Sequence, residues 1–315
     1  MARNSVKYVL AKMVLLALLR FPDFALGFLF KLAYPIYKKT HEKRAWGRTQ
    51  KHLEKAQEFL EETNQEKNWT DVTPRDVFQG IFWNAIDSYR GLARFKQTTS
   101  RLVFENEDVI KEALTHGPVA AISVHQGSFE LLHRSLCRYS NHVHLVTDTL
   151  GEGALRQLIQ ELRSDPHLTE YSPEDSRALI RNLFKTNGIL AMVFDQGKNT
   201  KGNKVKLFGQ DSTLYLRLPE LVNQMGAGIV TFRTFTRTSD NEIIGSQNRR
   251  EIVIRFEKYY PPEYDKALVE LHAKNSSNKK ESDAPLVESI AKEVETWIAE
   301  HPAQWSWNYH GNFKV

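Results

Sequence analysis

The chain has 315 residues and one cysteine, Cys137. A single thiol excludes an intrachain disulfide and a cysteine-built zinc site, and it fits a reducing compartment. A run of about 18 uninterrupted apolar residues, the length a simple spanning helix requires, is also missing. The Leu-, Phe-, Ala- and Val-rich stretch Tyr8–Tyr37 is interrupted by Lys12, Arg20, Asp23 and Lys31, and Pro22 breaks its middle. A signal peptide is possible, because Arg3 and Lys7 precede the apolar stretch, but Lys12 falls inside it and no clear small-x-small cleavage site follows. There is no G-x-S-x-G elbow, which argues against the common α/β serine hydrolases. There is no zinc-finger spacing, no aromatic-basic RNA motif and no internal repeat, so a nucleic-acid partner has no motif behind it.

Basic charge is in excess. Lys and Arg number 43 against 38 Asp and Glu, a net charge of +5, which points to an anionic partner: nucleic acid, a phosphorylated lipid surface or an acidic carrier protein. Placement narrows the choice. Lys38, Lys39, Lys43, Arg44, Arg48 and Lys51 directly follow the apolar stretch, the pattern of a cytoplasmic flank facing anionic lipid. Residues 1–40 therefore read as a membrane-associated helical segment, either two short helices at a bilayer interface or one imperfect span. The competing reading is a buried helix pair followed by a solvated charged helix.

Residues 41–100 form a helical scaffold in this reading. A polar helix covers 41–67, with Leu53, Ala56, Phe59 and Leu60 at helical spacing, and a second covers Arg75–Phe95. From 101 to 315 the pattern alternates. Strands are expected at Val119–Val124, His142–Thr147, Ile189–Phe194, Gly228–Phe235 and Arg250–Lys258. Helices are expected at about 128–138, Gly153–Arg163, Glu174–Thr186, Leu214–Met225 and Pro285–Glu300, with a polar insert at Lys274–Asp283. Such alternation predicts an α/β fold with a mostly parallel central sheet flanked by helices.

The chemistry centres on PVAAISVHQGSFE, Pro118–Glu130. His125 ends an apolar strand, at the edge of the sheet where ligand sites of open α/β folds lie. Gly127 lets the chain bend, and Ser128 is placed to cap a new helix with Glu130 in its first turn. On one continuous helix, residues five apart would point about 140° away from each other. Across a strand-to-helix turn the Glu130 carboxylate can fold back to the imidazole, fix its tautomer and stabilise its charged form. A pair of this kind can deprotonate a hydroxyl without a nucleophilic side chain. A surface histidine beside a helix-capping acid has the same spacing. His133 extends the run to H-x4-E-x2-H, which lacks the i, i+4 histidine pair of zincins, so no metal is expected.

HQGSFE resembles the H-x4-D/E motif of glycerolipid acyltransferases. It is more specifically similar to the corresponding segment of the bacterial lipid A late acyltransferases, the lauroyl and myristoyl transferases. Two further blocks agree in order. Ile189–Phe194 leads into Asp195, Gln196 and Gly197, then Leu207–Phe208–Gly209, with Gly226–Ala227 entering a later strand. The chain closes on His301, Pro302, Gln304, Trp305 and Trp307, then His310, Phe313 and Lys314. The resemblance covers roughly residues 115–315. The chain departs from the family at Ser212–Pro219, which lacks the usual glycine, and at Gly311 and Asn312, which stand where an arginine pair is usual.

What the resemblance implies is a glycerolipid acyltransferase-like domain behind an N-terminal apolar helical membrane anchor, at the cytoplasmic face of the inner membrane. Its activity would be O-acyl transfer from an acyl carrier protein or coenzyme A thioester to an anionic glycolipid, a lipid A precursor, with no cofactor. Another glycolipid or a lysophospholipid is the alternative acceptor. A non-catalytic basic membrane- or nucleic-acid-binding protein is the alternative of another class. His125 would be the general base and Glu130 its orienting acid. Backbone N–H groups near Gly127 or at the following helix start are candidate oxyanion donors. Arg163, Asp195 and Gln196 are candidate substrate contacts, with Asp195 pairing to an arginine such as Arg163. Lys198 and Lys201, in the loop Lys198–Lys206, are candidates for holding phosphates or an acidic carrier. Trp305 and Trp307 are expected in the core, with the membrane interface as the other placement.

Overall fold

A computed structural model describes residues 6–63, 72–94, 101–147, 154–196, 202–238, 250–262 and 285–307. Two apolar helices come first, α1 (Val6–Leu18) and α2 (Asp23–His41). Pro22, extended at φ −66° and ψ 152°, separates them, as its fixed φ and missing N–H dictate. The helices meet at 112°, and no single helix among the described residues is long and apolar enough to cross a membrane. A π-helical turn, Glu42–Trp46, leads into α3 (Gly47–Glu62). Helix α4 (Pro74–Ala93) opens on a capping box in which the Thr73 side chain and the Asp76 carboxylate satisfy each other's backbone N–H, with Pro74 following the cap.

A seven-stranded sheet follows. Its strands are β1 (Leu102–Glu105), β2 (Val119–Ser123), β3 (Val143–Val146), β4 (Leu168–Tyr171), β5 (Ile189–Val193), β8 (Gly228–Thr238) and β9 (Arg250–Tyr260). Their order is β1-β9-β8-β2-β5-β3-β4, and every neighbouring pair is parallel except β8 with β9. The α/β architecture read from the sequence holds. Strands β1 and β4, four residues each, went unread because they are too short for a periodic signal.

The connecting helices are α5 (Glu107–His116), α6 (Leu132–Leu136), α7 (Ala154–Arg163), α8 (Ser176–Thr186), α9 (Arg217–Gln224) and α10 (Pro285–Glu300). A hairpin of β6 (Asn203–Leu207) and β7 (Gln210–Leu214) stands apart from the main sheet. It replaces the loop expected through Lys206, and α9 starts at Arg217 rather than Leu214. Its two-residue turn puts Phe208 at φ 49° and Gly209 at φ 68°, the left-handed pair of a type I′ turn.

Strand β2 is buried at every position because helices cover both faces of the sheet, which is why its sequence runs apolar without alternation. Ala120, Ile122 and Val124 pack into one core with α3, α8 and α10. Val119 and Ala121 pack into the other, with α5 and α6. Helix α4 lies against the C-terminal segment so closely that a Cβ on Gly80 would stand 1.8 Å from the carbonyl oxygen of Ala303. Gly80→Ala should therefore destabilise the protein, although alanine is the better helix former by about 1 kcal/mol. A lowered thermal midpoint is expected; an unchanged or raised one would show that α4 and the C-terminal segment do not pack this way.

Candidate functional site

The register of two parallel strands builds the site. Ser123 of β2 lies beside Val193 of β5, so the residues two further on, His125 and Asp195, leave the same edge side by side. The Asp195 Oδ1 accepts from the His125 backbone N–H at 3.0 Å and lies 2.6 Å from the His125 Nδ1. The carboxylate side chain is 1% exposed and the imidazole 18%. A carboxylate only accepts, so Nδ1 carries the ring proton and Nε2 presents a lone pair. The Phe129 ring stands edge-on to the imidazole at 4.5 Å and restricts its rotation.

Glu130 pairs elsewhere. The chain after Ser128 forms a 3₁₀ turn, Phe129–Leu131, running into α6, and this turn aims the Glu130 carboxylate at α7. There Arg163 binds it in a fork, Nε to Oε2 at 2.8 Å and the terminal nitrogen to Oε1 at 2.7 Å. The expected partners are thus exchanged: Asp195 orients the histidine, and Glu130 takes the arginine. Burial alone would raise the Glu130 carboxyl, but the Arg163 bonds and charge, with smaller contributions from His133 and His125, hold it below the usual carboxylate range.

Gly127 is needed for its backbone. It sits at φ +56°, and a Cβ there would lie 2.4 Å from the Thr234 carbonyl oxygen. Its N–H donates to the Gln304 carbonyl at 3.0 Å, so this donor is occupied and does not serve an oxyanion as expected. Ser128 stands at the cap position without a cap hydrogen bond, because its residue enters the 3₁₀ turn at ψ 52° rather than in the extended conformation of an N-cap. Gln196 follows Asp195 at the strand edge, half-buried. Lys198 and Lys201 lie outside the described residues, as do His310, Phe313, Lys314 and the Lys274–Asp283 insert.

Three residues of the site were not assigned to it from the sequence. Trp305 is fully buried, as expected for core, yet its indole N–H donates to Asp195 Oδ2 at 3.0 Å. Gln126 is fully buried and its side chain donates to the Trp297 carbonyl at 2.8 Å. His133, read only as a rejected metal ligand, is buried behind Glu130, and its Nε2 has no hydrogen-bond partner among the described residues. Cys137 is half-buried, and burial first of all pushes its thiol up to about 12, which disfavours the reactive thiolate. A cavity of about 490 Å³, lined by His116, Pro118, Phe184 and Tyr259 among others, opens at the opposite edge of the sheet, where β2 begins. It is remote from this chemistry. A scan against protein-family models finds no match, and a search of curated proteins finds no relative.

Burial holds His133 neutral. It pushes the imidazole down to about 4, against the Glu130 charge and with the help of Arg163 and Arg134. The unfolded chain, with its histidine near 6.5, takes up this proton first as pH falls. Stability from His133 is therefore complete above about 6.5 and is lost progressively towards about 4. Between pH 7 and pH 5 the loss should be about 2 kcal/mol. His133→Phe, which keeps a planar ring without a titrating nitrogen, should lack this part of the decline, whatever its larger ring costs at both pH values. Urea midpoints of wild type and variant at the two pH values measure it, and parallel declines would contradict a buried neutral His133.

Proposed function

We propose that the protein is a membrane-associated O-acyltransferase that moves a fatty acyl chain from an acyl thioester to a hydroxyl of an anionic glycolipid. The sequence resemblance points to an acyl carrier protein as donor, a lipid A precursor as acceptor and the cytoplasmic face of the inner membrane as the place. The observation that carries the reading is the pairing of His125, the first residue of the HQGSFE motif, with the buried Asp195 at the carboxyl edge of the sheet, with Nε2 left as a base.

In this reading His125 Nε2 takes the hydroxyl proton as the oxygen attacks the thioester carbonyl. The new C–O bond forms, the tetrahedral intermediate expels sulfur as the C–S bond breaks, and the imidazolium returns the proton to the thiolate. No acyl-enzyme forms and no cofactor takes part. Asp195 holds the tautomer and, with the Glu130 charge nearby, stabilises the imidazolium. Arg163 keeps Glu130 ionised and tethers α7 to the turn, a positioning task rather than a substrate contact. Gln196, Lys198 and Lys201 remain candidates for the acceptor's anionic groups.

The N-terminal helices support the membrane part. Met13 is 63% exposed, Phe24 73% and Ile36 68%, and they stand among the exposed Arg20, Lys31, Lys38 and Lys39. Apolar faces flanked by cations suit the interface of an anionic bilayer. Phe24→Glu should reduce flotation with anionic vesicles and leave the secondary structure intact; undiminished flotation would remove this helix from the contact.

His125→Ala should lower transfer of a labelled acyl chain by roughly 10²–10⁴-fold in a folded protein, and Asp195→Asn should also impair it. Mass spectrometry of membrane lipids from cells with wild type or His125→Ala reads the outcome. A difference of one acyl group on lipid A precursors supports the reading, and the same difference on another glycolipid or a lysophospholipid redirects the acceptor. Normal transfer by His125→Ala overturns it. Salt-sensitive oligonucleotide binding without acyl transfer would favour a non-catalytic basic protein.

A further inference from the structure

We propose that Trp305 is a positioning residue for the His125–Asp195 pair, so that the C-terminal segment completes the site. The role proposed for Trp305 rests on the acyl-transfer reading; the hydrogen-bond geometry does not.

The argument starts from the carboxylate. An aspartate side chain turns freely about its last torsion, whose preferences are broad. Here each oxygen of Asp195 has its own fixed donor. Oδ1 serves the backbone and ring of His125, while Oδ2 accepts the Trp305 indole N–H. Two donors from different directions leave the carboxylate one orientation, the one that holds His125 Nδ1. An indole N–H donates only, so Trp305 restrains Asp195 without taking or supplying the proton in flight.

The indole is itself fixed by the turn it serves. Trp305 forms an isolated antiparallel bridge with Gln126, the residue after His125. The neighbouring Gln304 carbonyl accepts from Gly127 N–H at 3.0 Å and from the Asn84 side chain at 3.0 Å. The Gln304 side chain grips the Thr236 backbone twice, at 2.8 and 2.9 Å. Trp307 packs edge-on against Trp305 at 5.0 Å and donates to the Pro302 carbonyl at 2.7 Å. The contacts close a ring: His125 to Asp195, Asp195 to Trp305, Trp305 to Gln126, and Gln126 back to His125 along the chain. A tryptophan serving only as packing would not need its nitrogen aimed at the one carboxylate that orients the base.

Two changes test this on full-length protein. Trp305→Phe removes the donor and part of the ring. Replacement of Trp305 by benzothienylalanine, in which sulfur stands in place of N–H, removes the donor alone and guards against a folding defect. Misplacing a reacting group by about 1 Å can cost about 10²-fold. The isostere should therefore lower kcat about 10- to 100-fold and leave KM for the acyl donor unchanged, in a protein that still folds cooperatively but melts lower, because one bond to the buried carboxylate is lost. In the substrate-free protein, the downfield proton resonance of His125 Nδ1 should broaden or shift in the isostere. Wild-type kcat in the isostere, or an unmoved Nδ1 resonance, overturns the proposal. A wild type that transfers no acyl group overturns the acyl-transfer reading instead. The resonance, read without substrate, then decides the tie alone: movement supports it and constancy refutes it.

Discussion

A buried carboxylate is costly unless hydrogen bonds replace its water. The penalty for an ion in the interior is several kcal/mol, and Asp195, at 1% exposure, incurs it. Meeting that demand draws three distant stretches of chain to one point: the turn after β2, the end of β5 and the C-terminal segment. The same three bonds that satisfy the charge leave one histidine nitrogen protonated and the other free. Stability and proposed chemistry here share one set of contacts. For that reason the C-terminal segment is bound to the interior of the site.

A second pair, the buried Glu130 with the half-buried Arg163, sits beside the first and behaves differently. Its two charges cancel within a bidentate fork, and that geometry binds α7 to the 3₁₀ turn more firmly than a single contact would. Behind it, neutral His133 adds no charge at ordinary pH. Among the described residues, His125 thus faces one carboxylate without a cationic partner of its own, Asp195, and one compensated by arginine, Glu130. An imidazolium forming there gains from Asp195 directly and from Glu130 only in part.

The sequence made His125 legible because an apolar run fully buried on both faces ends just before it. The identity of its partner was not legible. Spacing of five residues offers Glu130, but the turn after Ser128 winds as a 3₁₀ helix and carries that carboxylate towards a residue 33 positions on. Asp195 lies 70 positions from His125, and only the pairing Ser123 with Val193 brings them together. Both strands run apolar without alternation, so no hydrophobic pattern marks their register in the sequence. The hairpin at Asn203–Leu214 was hidden for a related reason. Its turn is Phe208–Gly209, where the usual hairpin signal has Asn or Asp in the first place, and its lysines gave it the look of a solvated loop.

The first and third parts of the chain are joined through α7. Glu161 takes the Tyr8 hydroxyl and the Lys12 ammonium of α1, and two residues later Arg163 takes Glu130. The last turn of one short helix therefore holds both α1 and the turn carrying His125. Partly solvated pairs such as Lys12 with Glu161 contribute little energy by themselves, but they fix orientation. If the apolar faces of α1 and α2 lie on a bilayer, the placement of α7 sets which edge of the sheet turns towards that surface. On the proposed reading an acceptor lipid would reach His125 only when that edge is the carboxyl one, so the helix that carries Arg163 into the site would also orient the site towards the bilayer.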